Sequence, residues 1–237
     1  MSTLRNLMQA VGARCPGGHL PNAYLVLDVE TSGFSGSINP NGTPACIAQF
    51  GIAAVRNREI THNYSYLVKR PPGTMQPGAS AVNRITDEML AEQGELPEIL
   101  YPRLIRLLEV FREDRCPYIG QNVVKFDAPF INDDFARHGF DFRFELSELI
   151  DTGLIYKANQ LCVAPRDDEA LDAFFERVAE IRSRVKWNLG LTMRTLHLDA
   201  KFGLDLEGAH DAGYDCYMTH LLLEELRQLA NGAPSGL

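Results

Sequence analysis

No apolar run in the 237 residues approaches the roughly 20 that a membrane-spanning helix requires, so a soluble protein with no membrane partner is expected. Disulfide and zinc frameworks are missing as well. The five cysteines, Cys15, Cys46, Cys116, Cys162 and Cys216, are scattered, odd in number and never arranged as Cys-x-x-Cys. Reduced thiols are therefore the expectation, and with them a cytoplasmic, reducing compartment. The chain also lacks a surplus of basic charge. At a net charge of -8 it cannot coat nucleic acid through a broadly basic surface, which needs many Lys and Arg on phosphates. An enzyme of nucleic acids stays in play, because an acidic site loaded with divalent cations presents positive charge to a phosphate. What is present, 45% hydrophobic and 23% charged residues, describes one globular core without internal repeats.

Residues 1–20 contain no Asp or Glu and close with Pro16-Gly17-Gly18. They read as an N-terminal extension, a short amphipathic helix and linker that is docked or frayed. A targeting peptide is the alternative, weakened by a single serine, two arginines and no long apolar core. The apolar run Tyr24-Leu25-Val26-Leu27 leads into Asp28-Val29-Glu30-Thr31-Ser32-Gly33 and reads as a strand ending in a glycine turn. A Gly, Ser, Asn and Pro-rich loop covers 34–45, and two strands follow at 46–55 and 60–68 around Asn57-Arg58-Glu59.

Thr86 suits the cap of a short helix. Apolar spacing predicts helices over 97–112, 129–139, 167–187, 191–198 and 211–229, with short strands near 117–120 and 149–152. The stripe Leu171, Phe174, Phe175, Val178, Ile181 and Val185 makes 167–187 a long amphipathic helix that packs on the domain or meets a partner. The sum is one α/β domain over 21–231, a mixed sheet flanked by helices with a helical insertion at 167–187, and a tail at 232–237.

Four carboxylates and a histidine carry the chemical question. Alternate residues of a strand share a face, so Asp28 and Glu30 point the same way, either around a cation or as two solvated acids. Asp127 stands just before Pro129 and reads first as an N-cap. Asp215 lies beside the apolar face of the final helix, where a lone acid needs pairing or a metal. His210 would be about 140° away from Asp215 on a continuous helix. The two converge only if His210 stands in the preceding loop, for which Gly208 is suited.

Together these pieces resemble the histidine branch (DEDDh) of the DEDD superfamily of 3′-5′ exonucleases, which includes the proofreading subunit of bacterial replicative polymerase and ribonuclease T. The match runs over about 24–229. Asp28-Val29-Glu30-Thr31-Ser32-Gly33 stands for Asp-x-Glu-Thr-x-Gly, Asn122 through Phe126-Asp127 for Asn-x-x-x-Phe-Asp, and His210-Asp211-Ala212-Gly213-Tyr214-Asp215 for His-x-Ala-x-x-Asp. Asp211 holds the place where the tyrosine branch has its Tyr. Ile85-Thr86 and Ile150-Asp151-Thr152 are smaller echoes. Gln121, Gln49 and Arg84 depart from the residues usual at their places, and the segments 34–45 and 167–187 look long.

The resemblance implies a ribonuclease H-like fold and metal-dependent hydrolysis of phosphodiesters, releasing nucleoside monophosphates from 3′ ends, with single-stranded DNA favoured. RNA trimming, or a catalytically silent binding module, is the alternative. It implies two Mg²⁺ or Mn²⁺ ions, with Asp28 bridging, Glu30 and Asp215 on one, Asp127 on the other, and His210 as general base. By the same likeness Thr31, Ser32 and Gly33 would contact the terminal sugar, and Phe34, Ile85 or Met89 would stack on or wedge the end base. Thr86, Asn122, Lys125 and Arg84 are further candidates for substrate contact. Single-stranded 3′ ends of DNA or RNA are the implied partner, and a polymerase or a replication or repair partner is left open.

Overall fold

The computed structural model describes residues 2–15, 17–206 and 210–232. Its centre is β1 (Tyr24–Thr31), whose first four side chains are fully buried, as a strand covered on both faces requires. β2 (Ile47–Arg56) and β3 (Glu59–Leu67) pair antiparallel in succession. Asn57 and Arg58 both take positive φ between them, as a tight two-residue hairpin demands. β4 (Tyr118–Gly120) and β5 (Leu149–Asp151) add parallel on the other side of β1, giving a five-stranded mixed sheet in the order β3-β2-β1-β4-β5.

Neighbouring residues of β2 show how the layers are built. Phe50 stacks on Phe135 of α5 (Asp127–Arg137), centroids 6.4 Å apart. Gly51 faces the other way, onto Ala212 at the start of α10 (Ala212–Ala230). α4 (Pro97–Glu113) lies beside α5, its Tyr101 ring 4.7 Å from Phe135. On α10's outer side, α1 (Ser2–Arg14) buries Leu7, Met8 and Val11, so the N-terminal segment docks on the domain.

A buried polar knot ties α5 to the start of β2. Asp134, fully buried, accepts from Arg70, from Tyr101 Oη at 2.5 Å and from Arg137 at 3.0 Å, and its carboxylate also receives the Ile47 amide at 3.3 Å. Burial alone would raise the Asp134 carboxyl. Arg70, Tyr101 and Arg137 outweigh it and hold it below its usual value.

The strands lie within a residue or so of the expected bounds, and Thr86 caps α3 (Asp87–Gln93) by accepting from the Met89 amide. The helix expected at 167–187 is α7 (Leu171–Glu180) alone, and Ile181 turns to extended backbone. Lys157 Nζ donates to the Ala179 carbonyl at 3.1 Å in the last turn of α7, and the Ile, Ser and Val that follow are poorer helix formers. The expected helix at 191–198 is two, α8 (Leu189–Thr195) and α9 (Leu198–Phe202). Two helices escaped the periodicity reading. α2 (Pro77–Asn83) is short and made of small residues. α6 (Thr152–Gln160) is buried nearly all round, so it has no polar face to mark its period.

Candidate active site

The register of β1 against β2 sets Asp28 opposite Gly51 and Glu30 opposite Gln49. Both partners serve the same end. A Cβ on Gly51 would stand 2.2 Å from the Ala212 carbonyl oxygen, so only glycine lets the first turn of α10 lie on the strand. Gln49 then grips that turn, accepting from the Ala212 amide at 3.1 Å and donating to Asp211 Oδ2 at 2.8 Å. Asp211 caps α10 by accepting from the Tyr214 amide at 3.0 Å. One turn on, Asp215 is carried over the carboxylates of β1. His210 stands outside the helix with φ 73°, and its amide donates to both Asp215 oxygens at 3.3 and 3.4 Å. Its Nδ1 lies 3.9 Å from Glu30 Oε1. Gly208 lies outside the described residues.

Asp127 does not act as an N-cap. It is the first residue of α5, 2% exposed, and its Oδ1 reaches across to accept the Val29 amide at 2.9 Å, between Asp28 and Glu30. The turn that delivers it depends on Asp151, which the sequence marked only as an echo. Asp151 is fully buried and accepts from the amides of Asn122, Val124 and Leu154 at 3.1, 3.2 and 2.9 Å, fixing Asn122 at φ 70° and capping α6.

Burial followed by mutual repulsion governs the charges. It drives the Asp28 carboxyl well above the usual range, with Asp215, Asp127 and Glu30 adding to the effect. Burial and then Asp215 push Glu30 to about 8. Asp127 and Asp215 each rise to about 7, with burial again first. Among the described residues no Lys or Arg forms an ion pair with any of these four. Such a cluster stores repulsion that a hard cation would relieve, and its all-oxygen donors suit one. Oxygens of Glu30 and Asp215 and a ring nitrogen of His210 lie within 4.8 Å of one another. His210 itself titrates below its usual value, first through burial and then through the charge of Arg84.

These five side chains line a cleft of about 830 Å³ together with Thr31, Gly33, Phe34 and Asn122. Other residues expected at the substrate stand off the lining of this cleft. Ser32 is fully buried, donating to Asn39 Oδ1 at 2.9 Å and accepting the Cys46 amide at 3.0 Å, so it braces the turn. Ile85 is buried in a small core with Ala48, Met75 and Leu90. The Thr86 hydroxyl is engaged in its cap, and neither Thr86, Met89 nor Lys125 lines the cleft. Arg84 is exposed at φ 61°, a conformation natural to the glycine usual there, and it also lies off the cleft wall. The lining residues that the sequence did not mark include Gln76, Val82 and Asn83 in one group and Val185, Lys186, Trp187, Asn188 and Leu189 in another. The second group was hidden because the apolar stripe of α7 was extended through it.

The Exonuclease family model, of the ribonuclease T type, matches residues 25–223. The chain is 29% identical over 196 residues to the DNA polymerase III subunit epsilon of Haemophilus influenzae, and 26% identical over 191 residues to that of Pasteurella multocida. Each match covers 78% of this chain. The chain spans 66% of the length of the first of these proteins and 67% of the second. Among solved structures, the zinc-bound complex of Escherichia coli exonuclease I with single-stranded DNA is similar at a TM-score of 0.60 and 19% identity, over 91% of this chain and 42% of that one. Cell-death related nuclease 4 is similar at a TM-score of 0.56 and 16% identity, over 89% of this chain and 64% of that one. These likenesses show the fold, a ribonuclease H-like α/β domain.

Proposed function

The chain belongs to the Exonuclease family, and on that premise we propose that it removes nucleoside monophosphates one at a time from the 3′ ends of single-stranded DNA. The observation that carries this reading is the convergence of Asp28, Glu30, Asp127 and Asp215 with His210 in one cleft, two of them from β1 and the others from the starts of α5 and α10. The name of the curated relatives points to work beside a DNA polymerase, which is the partner this reading proposes.

The family is one of divalent-metal-dependent nucleases, and the residues present fit that requirement: four mutually repelling carboxylates, with no Lys or Arg ion pair among the described residues, offer only oxygens. Asp28, Glu30, Asp127 and Asp215 would hold Mg²⁺ or Mn²⁺, two per site. When bound, the ions supply positive charge where the scissile phosphate and its leaving oxygen become more negative. His210 does the proton work. Burial and Arg84 keep its ring neutral near pH 7, so a ring nitrogen is free to take the proton of the water that attacks phosphorus. The 3′ oxygen of the preceding nucleotide then leaves, and the terminal nucleoside departs with its 5′ phosphate. Thr31 and Gly33, at the strand end, flank the place of the terminal sugar, and Phe34, 82% exposed at the cleft, offers a ring to the last base.

The test is a side-by-side digestion of 5′-labelled single-stranded DNA, duplex DNA and RNA with Mg²⁺ or Mn²⁺. A ladder shortening from the 3′ end, fastest on single-stranded DNA, is expected. Cuts that begin only at internal positions, or a faster ladder on RNA, would overturn the reading.

A further inference from the structure

Lys186 is the single Lys or Arg among the described residues that line the cleft. It is exposed, and none of the described ion pairs or hydrogen bonds engages it. Its position is a consequence of the early end of α7. Beyond Ile181 the chain leaves the helix, reaches the cleft at Val185 and is fastened directly after Lys186. At the next residue, Gln121 Nε2 donates to the Trp187 carbonyl at 2.5 Å while its own Oε1 accepts from Thr152 at 2.6 Å. The Trp187 ring lies over Gly153, where a Cβ would meet Cε3 at 2.7 Å. Next, Asn188 caps α8 by accepting from the Leu191 amide at 2.9 Å. A lysine held on so fixed a backbone, at the mouth of a cleft that otherwise offers carboxylates, has an evident use against a polyanion.

We propose that Lys186 is the cation that binds a backbone phosphate of the substrate strand within the cleft, in place of Lys125 or Arg84. The inference rests on the exonuclease reading. It deepens that reading by assigning substrate affinity and its salt dependence to the segment 185–188. A lysine meets a phosphate as a point charge and carries no base information, so the contact serves every sequence alike. The apolar side chains of Phe34 and Val82 across the cleft, 82% and 53% exposed, are left to the bases.

The experiment compares the full-length parent with Lys186→Ala, Lys186→Glu, Lys186→Arg and Arg184→Ala on one 5′-labelled single-stranded oligonucleotide, over a series of salt concentrations. KM is expected to rise about three- to tenfold in Lys186→Ala, more in Lys186→Glu, with kcat little changed, the signature of a contact made equally before and during reaction. One lost phosphate contact should lower the slope of log affinity against log salt by about 0.7. Lys186→Arg should stay near the parent. Unchanged KM and salt slope in Lys186→Glu would overturn the assignment while the parent's activity stands. An equal effect of Arg184→Ala would overturn it too, showing that the charge of the segment acts without a specific contact. If the parent fails to shorten the oligonucleotide at all, the exonuclease reading falls and takes this inference with it.

Discussion

Removing one charge from the carboxylate cluster is expected to make the metal-free protein more stable, and mainly at the upper end of the pH range. The Glu30 side chain is 13% exposed and titrates at about 8, against 4.5 for a free glutamate, because burial and then Asp215 oppose its ionisation. Where the native value is raised, the native state holds the proton more tightly than the unfolded chain, so stability falls as pH rises from the unfolded value toward the native one. For a shift from 4.5 to about 8 the linked loss at pH 7 is about 3 kcal/mol, and at pH 5 it is about 1 kcal/mol. In a protein of this size each kcal/mol moves Tm by roughly 2–4 °C. Glu30→Gln should therefore melt about 6–12 °C above the parent at pH 7 to 8 in a chelator, and keep only a small part of that lead at pH 5. His210 and His220, whose values are lowered first by burial, act with the opposite sign as pH falls. The difference between variant and parent isolates Glu30 from them. Saturating Mg²⁺ should reverse the order, because only the parent gains the full binding energy of the ion. Thermal melts at pH 5, 7 and 8, with and without Mg²⁺, give the answer. Parent and variant melting together at pH 8 without metal, or a gap that widens toward pH 5, would refute the claim that repulsion strains this site.

Other perturbations separate the roles of the remaining residues. Asp28→Ala and Asp215→Ala should abolish metal-dependent digestion, whereas His210→Ala should slow it by about 10²–10⁴ and leave metal affinity, followed by calorimetry, largely intact. Parental digestion should decline as pH falls through the lowered titration of His210, since a protonated ring takes no further proton; a pH profile flat from 5 to 8 would remove His210 as the base. Gly51→Val should push Ala212 and with it Asp215 off the sheet, lowering activity by about 10² and stability by about 1–3 kcal/mol, measured by oligonucleotide digestion and urea denaturation. Asp134→Ala strands Arg70 in the interior at 8% exposure and should cost about 3–5 kcal/mol in the same urea titration.

The elements that the sequence disclosed are those whose cause is local. Side chains alternate across any strand, so Asp28 and Glu30 were bound to share a face once Tyr24 to Leu27 formed a buried strand. The short polar side chain of Thr86 was bound to seek an unpaired amide at a helix start, and it meets Met89. The loop position of His210 follows from the 3.6-residue turn, given that it meets Asp215. The helix of 167–187 failed for the same reason that the others succeeded. Periodicity reports which residues are apolar on one face, and Ile181 and Val185 continued the stripe after the backbone had left the helix.

Tertiary contacts decided everything that joins residues far apart in the chain. The sequence left Asp127 between a cap and a ligand, and the Val29 amide, 98 residues away, draws it to β1. Nothing in the run around Gly51 announces that a Cβ there would strike α10, because the clash exists only once β2 and α10 are stacked. Ile85 is drawn into a small core and Met89 lies off the cleft, while Val185 to Leu189 line it, held by contacts that include the bond from Gln121 to Trp187. The residue types and their spacing along the chain thus determined what chemistry was present. The packing of β1, α5 and α10 determined that it meets in one cleft, since convergence depends on distances that covalent order alone leaves free.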